Sequence, residues 1–189
     1  NKVKNSPVAN NTLIIFMGDN GTNKDITSQY NGTSYKGGKS TPTEAGTWVP
    51  MIAWWQGVIA PGVNDDLIDL TDFMPSLASI AGINVPAEYG IIDGVNFHPR
   101  LLSQPGTPRD WIFCHFNPQQ MVGQIQLTRW AQNKKFRLFD STGGYYLPQD
   151  NYYDVVIDPR NKKPLKAPYT QNQQSNKTEL RSVLESMHN

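Results

Sequence analysis

The sequence predicts an α/β protein: a mixed, mostly parallel sheet flanked by helices over residues 1–107, then a small antiparallel β subdomain with a terminal helix over residues 108–189. Three observations predict it. Two short apolar runs, TLIIFM (12–17) and VPMIAWW (49–55), are rich in β-branched and aromatic residues, as strands covered on both faces are. A helical spacing of Leu70, Phe73, Leu77 and Ile80 follows them. Beyond Gln104–Pro108 (QPGTP), which carries no periodicity and reads as a boundary, come four strand-like segments separated by Asn, Gly, Pro and Lys.

The individual elements have local reasons. Residues 12–17 suit a parallel sheet and residues 49–55 have the same character, with a long loop of Gly, Ser, Thr, Asn and Lys between them, a length that in compact domains marks function or disorder. The helix after Leu70 has Thr71 as a plausible N-cap, Pro75 within its first turn and Gly82 where a C-cap glycine stands. The four later segments are WIFCHFN, IQLTRWA, KFRLF and YYDVVI. TELRSVLESMH closes the chain with Leu180, Val183, Leu184 and Met187 on one stripe, the pattern of a helix docked on a sheet.

Composition narrows the function classes. Lys plus Arg number 17 and Asp plus Glu 16, giving a formal charge of +1, which offers no long-range field for nucleic acid or an anionic membrane. A small anionic substrate needs only a local cluster of charge. The single cysteine, Cys114, cannot close a disulfide within the chain, and no apolar run approaches the roughly 18 residues of a membrane span. The chain opens on Asn1 rather than Met, inside a polar, turn-like stretch, which suggests a processed product or a piece of something longer.

Two stretches could carry chemistry. In LIIFMGDNGT (13–22), Asp19 and Asn20 follow a strand, at the position where open α/β sheets gather ligands. A carboxylate and a carboxamide offer hard oxygens that suit Ca²⁺ or Mg²⁺ and not zinc. Two donors fall short of the six to eight that Ca²⁺ takes, and DNG is also a common turn. In YKGGKSTPTEAG (35–46) the GKS is not a phosphate loop, because position 33 is Thr33 where a glycine is needed and Pro42 discourages the helix that should follow. What remains is a glycine pair that lets backbone approach a ligand, and Lys39 as a point charge for an oxyanion. His98, His115 and His188 show no metal spacing; His98 reads as a loop or capping residue, His115 as structural, His188 as exposed on the last helix, and Cys114 as a small buried hydrophobe.

Together these stretches resemble the sulfatase family, within the wider alkaline-phosphatase-like superfamily. NTLIIFMGDNGT resembles its strand ending in DN or DH before glycine. YKGGKSTPTEAGTWVPMIAWWQGVIAPG resembles its GGKGTxxEGGxxVPxIxxWPGxIxPG segment, and DLIDLTDFMPSLASIAGINVPAEYGIIDGVNFHPRLL its DLxPTLxxLAGIxxPxxxxxDGxxLxPLL segment. FRLF followed by YYDVVIDP is similar to its C-terminal region.

The resemblance implies that residues 1–107 are the C-terminal portion of a sulfatase α/β domain and that 108–189 are its C-terminal subdomain. It implies Asp19 and Asn20 as ligands of a divalent cation, Ca²⁺ with Mg²⁺ as the alternative, and Lys39 as the catalytic, sulfate-binding lysine. Glu44 falls on a loop-organising glutamate, while Ala45 stands in place of a glycine and Trp48 where many members have Arg, at the substrate rim. The family's nucleophile is a formylglycine made within a C-x-P/A-x-R motif; Cys114 is followed by HFNP, so the nucleophile and the remaining ligands are expected in an N-terminal part of the same enzyme, without which this chain should be inactive. The implied partner is a sulfate ester or sulfated glycan, and the implied localisation is exported (periplasmic or secreted) or lysosomal. A phosphoryl or phosphonyl ester hydrolase of the same superfamily and a non-catalytic module are the alternatives.

Overall fold

Strand β1 (Leu13–Met17) forms where the first apolar run was expected, and β4 (Met51–Trp55) where the second was. In the computed structural model, which describes residues 2–30, 32–117, 120–121, 124–125, 127–141 and 149–187, the two pair with each other antiparallel, Leu13 opposite Trp55 and Met17 opposite Met51. The mostly parallel sheet is therefore not what these residues form: every strand pairing among the described residues is antiparallel. The two runs lie over thirty residues apart, and a connection of that length can return a strand in either direction. Nor is each run covered on both faces, because Ile14, Phe16 and Ile52 are exposed.

The chain divides into two compact units, one of residues 1–17 and 50–110 and one of residues 18–49 and 111–189. In the first unit the β1–β4 ribbon is tied at its end by Trp55, whose Nε1 donates to the Asn10 carbonyl at 2.8 Å. A 3-10 turn, Leu70–Asp72, leads into α2 (Phe73–Ile80). The 3-10 turn is capped by Asp69 rather than Thr71: the Asp69 carboxylate accepts from the Thr71 amide at 3.0 Å, and the Asp72 carboxylate accepts from the Asp69 amide at 2.8 Å, completing a capping box. Pro75 lies in the first turn of α2, and Gly82, at φ +69°, follows the helix in the left-handed conformation that a C-terminal glycine supplies.

What fixes this unit is a buried ion pair. Arg109 donates to the Asp72 carboxylate through Nε, at 3.1 and 3.0 Å, and again through Nη2, and Nη2 also reaches the Asp93 carbonyl at 3.0 Å. Asp72 takes a further bond from the Val95 amide at 2.7 Å. The guanidinium thus joins α2, the segment 93–95 and the end of the unit through one carboxylate, and Phe73 packs edge-on to Phe97 with ring centroids 5.4 Å apart. His98 opens α3 (His98–Leu101) and its Nδ1 lies 3.0 Å from Ser79 Oγ, a structural role of the kind expected for it.

The second unit is built on a four-stranded antiparallel sheet in the order β10-β9-β8-β5. Its strands are β5 (Ile112–Phe116), β8 (Thr128–Gln132), β9 (Phe136–Phe139) and β10 (Tyr152–Asp154), the four segments expected. A minor ribbon pairs β6 (Gln120–Met121) with β7 (Gln124–Ile125). On the main sheet, α4 (Gln171–Ser186) buries Leu180, Val183 and Leu184 against Ala131, Phe136, Leu138 and Tyr152. The helix begins earlier than its apolar stripe, at a Thr170–Gln173 capping box. His188, expected on its exposed end, lies outside the described residues. Cys114 is half-buried beside the Trp130, Phe139 and Tyr153 cluster.

Among the described residues no helix is long and apolar enough to cross a membrane. Truncating Arg109 leaves Asp72 buried without its cation, so Arg109→Ala should lower the free energy of unfolding by about 3–5 kcal/mol. Urea denaturation of both proteins measures this; a loss under about 1 kcal/mol would show that the pair does not hold the unit.

Candidate functional site

The long loop between β1 and β4 is structured, and it belongs to the second unit. It contains a hairpin, β2 (Thr27–Tyr30) with β3 (Thr33–Lys36), and one helical turn, α1 (Glu44–Thr47). Three backbone segments converge beneath them. The Gly21 amide donates to the Gly46 carbonyl at 2.9 Å, the Lys39 amide to the Thr22 carbonyl at 2.9 Å, and the Gly37 amide to the Ile26 carbonyl at 2.9 Å.

Glycine is required where these strands of chain meet. A Cβ on Gly21 would stand 1.9 Å from the Ala45 carbonyl oxygen, and one on Gly37 would stand 2.2 Å from the Asn23 carbonyl oxygen. The glycines preceding Lys39 were expected to admit a ligand to the backbone; at Gly37 the close approach is of backbone to backbone. The consequence for the site is that the turn carrying Asp19 and Asn20, the loop carrying Lys39 and the start of α1 at Glu44 are hydrogen-bonded into one assembly.

Asp19 and Lys39 are exposed and Asn20 is half-buried. Among the described residues none of these three side chains makes a hydrogen bond or an ion pair. Two oxygen-bearing side chains and an ammonium thus emerge from adjoining backbone with their polar atoms uncommitted. The described residues contain no group of three or more His, Cys, Asp or Glu able to hold a metal ion. The donors present match a hard divalent cation in chemistry, and they would supply a minority of its six to eight oxygens.

The same loop is anchored from below by Arg137 on β9, a residue that the sequence reading did not single out. Its guanidinium is buried over the Trp130 ring, 4.1 Å from the centroid. It donates to Gln132 Oε1 at 2.6 Å, to Asn161 Oδ1 at 3.0 Å and, through Nη1, to the Pro42 carbonyl at 3.4 Å. Burial pulls this guanidinium down to about 10, so it is still cationic at neutral pH. Glu44 is pushed up to about 7 by burial, against the pull of Arg137 and with help from Asp158. The Tyr35 phenol is raised as well, first by burial and then by Glu44. Glu44 is thus half-buried at the head of α1 and electrostatically coupled to the anchoring arginine, which suits a residue that organises the loop.

Trp48 follows α1 and is exposed. His115 is exposed on β5, opposite Arg129. Arg160 lies over the Tyr35 ring, 4.7 Å from its centroid, and its Nη2 donates to the Ser34 carbonyl at 2.7 Å.

The motifs around Asp19, Asn20 and Lys39 resemble those of the sulfatase family, and comparison with known proteins bears on the class. Residues 1–83 match the family model named Sulfatase. The chain is 26% identical over 160 residues to an arylsulfatase of Hemicentrotus pulcherrimus, covering 81% of this chain and 28% of that protein. It is 38% identical over 106 residues to arylsulfatase A of Bos taurus, covering 55% of this chain and 20% of that protein.

In structure it is similar to a 2-O GAG sulfatase, with a TM-score of 0.71 and 20% identity over 96% of this chain and 37% of that one. A second solved structure, a complex with the substrate D-glucosamine-2-N,6-O-disulfate, has a TM-score of 0.64 and 19% identity over 94% of this chain and 34% of that one. The chain is a relative of the sulfatases, which are sulfuric ester hydrolases, and it shares their fold. It spans between a fifth and under a third of the length of the curated relatives it matches.

The raised pKa of Glu44 has a definite sign. A carboxyl held at about 7 in the folded chain and at 4.5 otherwise loses folded-state stability as pH rises between those values, because only the unfolded form ionises freely there. The urea midpoint should therefore fall between pH 5 and pH 7.5, and Glu44→Gln should remove a measurable part of that fall. Parallel pH profiles for the wild type and the variant would show Glu44 to be unperturbed.

Proposed function

We propose that the protein containing this chain hydrolyses sulfate esters, with Asp19 and Asn20 as two ligands of a divalent cation and Lys39 as the group that meets the sulfate. The observation that carries the reading is the backbone joining of the three residues, through Gly21 to Gly46 and Lys39 to Thr22, with all three side chains uncommitted among the described residues. The match of residues 1–83 to the Sulfatase family model and the similarity to arylsulfatases support it.

The chemistry follows from charge. A sulfate ester is an anion, and its hydrolysis places more negative charge on the sulfate and leaving-group oxygens. Ca²⁺, or Mg²⁺ in its place, supplies positive charge to those oxygens when bound. The Asp19 carboxylate and the Asn20 carboxamide oxygen would be two of its ligands. The Lys39 ammonium donates hydrogen bonds to a sulfate oxygen and orients the ester. Arg137 and Glu44 keep the Lys39 loop in register with the Asp19 turn.

The remaining ligands and a formylglycine nucleophile lie elsewhere in the whole protein, and the substrate is a sulfated saccharide. For the latter, support comes from a structural neighbour whose complex contains a glucosamine disulfate.

In the whole protein, Lys39→Ala and Asp19→Ala should each lower kcat/KM for p-nitrophenyl sulfate by about 10²–10³, the usual cost of losing one charge-stabilising contact. Steady-state kinetics on p-nitrophenyl sulfate and p-nitrophenyl phosphate checks this. Lys39→Ala within threefold of wild type would sink the assignment, and a clear preference for the phosphate would transfer it to phosphoryl ester hydrolysis.

A further inference from the structure

The β2–β3 hairpin carries an exposed aromatic group that the sulfate chemistry does not use. Its register sets Ser28 opposite Tyr35 and Tyr30 opposite Thr33, so strand alternation puts Tyr30 and Tyr35 on one face. Gln29 and Ser34, joined by a hydrogen bond of 3.1 Å, lie on the other. Tyr30 meets Tyr35 edge-on with centroids 6.4 Å apart, and Trp48, arriving from the end of α1, meets Tyr30 edge-on at 6.3 Å. These are preferred aromatic geometries, so the rings brace one another. Arg160 holds the Tyr35 ring from the side and ties itself to the strand at Ser34.

Bracing has not buried the outer rings: Tyr30 retains 55% and Trp48 53% of its full exposure. Single exposed aromatics are ordinary, but a contiguous, rigid aromatic patch marks a binding surface. Its location is specific. Trp48 stands two residues beyond Gly46, which accepts from the Gly21 amide beside Asn20, and Lys39 stands three residues beyond Lys36 at the base of the hairpin. Tyr30 is three residues up the strand from that base, about 10 Å.

We infer that Trp48 and Tyr30 form a saccharide-stacking subsite that seats the pyranose ring carrying, or adjoining, the sulfate held at Lys39. This rests on the sulfated-saccharide reading above and adds residues that set substrate preference. A pyranose offers a flat face of C–H bonds with hydroxyls at its edge. One ring can cover that face while the other, inclined at 63° to it, flanks the sugar's edge, and Lys39, three residues beyond the hairpin, supplies the charge complementary to an anionic substituent.

The test uses the whole protein, with methyl glucosaminide, its 6-O-sulfate and p-nitrophenyl sulfate as probes in saturation-transfer NMR titrations, and with inorganic sulfate, which carries no protons, followed by isothermal titration calorimetry. The ring protons of both glucosaminides should receive saturation. Trp48→Ala and Tyr30→Ala should each weaken both glucosaminides at least fivefold while leaving inorganic sulfate unchanged, and Trp48→Phe should restore most of the loss. Lys39→Ala should weaken only the sulfated probes. Glucosaminide binding equal to wild type in Trp48→Ala and Tyr30→Ala, or saturation confined to the p-nitrophenyl ring, would overturn the subsite. If Lys39→Ala leaves sulfate binding intact while Trp48→Ala abolishes saccharide binding, the sulfate reading fails and the subsite stands.

Discussion

The close contact of backbone with backbone around Gly21 is the constraint on which the site depends. A carbonyl oxygen at the Ala45 position fills the space where any other residue would carry its Cβ, and the Gly21 amide is bonded to the Gly46 carbonyl alongside. Without that approach, Asp19 and Asn20 would sit on a free turn after β1 and Lys39 on a separate loop. With it, a carboxylate, a carboxamide and an ammonium project from a common piece of main chain. Ordering such a segment costs about 1–2 kcal/mol per residue in backbone entropy, and amide hydrogen bonds of modest net value cannot offset that alone.

The remaining stabilisation comes from the sheet of the second unit. Arg137 is a fully desolvated cation on β9, held by the Trp130 face and by Gln132 and Asn161, and one of its nitrogens reaches the loop at Pro42. A buried charge is costly unless its donors are engaged, so the geometry of the sheet and that of the loop are coupled through this side chain. Glu44 is the counterpart on the loop. Burial and Asp158 make its ionised form unfavourable while Arg137 favours it, and these opposing influences leave it titrating close to neutrality. The unit that carries the main sheet therefore also carries the candidate site.

Much of this was legible in the sequence, for identifiable reasons. The runs at 12–17 and 49–55 declared themselves as strands by their β-branched and aromatic content, but nothing in their composition fixes pairing direction, and they pair antiparallel. The stripe of Leu180, Val183 and Leu184 announced α4; its first turns, QNQQSNK, are polar on every side and only Thr170 and Gln173 mark the start. The hairpin within the long loop was hidden because TSQY and TSYK bury little, although the Asn31–Gly32 pair between them is a hairpin signal. Asp19, Asn20 and Lys39 were visible through their motifs, whereas the role of Arg137 depends on neighbours at positions 42, 130 and 161 that no local pattern links.

The central claim is that the Asp19–Asn20 turn and the Lys39 loop are one hydrogen-bonded body. Amide hydrogen exchange resolved at single residues tests it most directly. The account predicts that the Gly21 and Lys39 amides are both strongly protected, exchange with similar free energies of opening, and lose protection together when Arg137 is replaced by Ala. Rapid exchange at either amide, or protection at one that survives loss of the other, would mean that the turn and the loop move independently, and the site as built here would not exist.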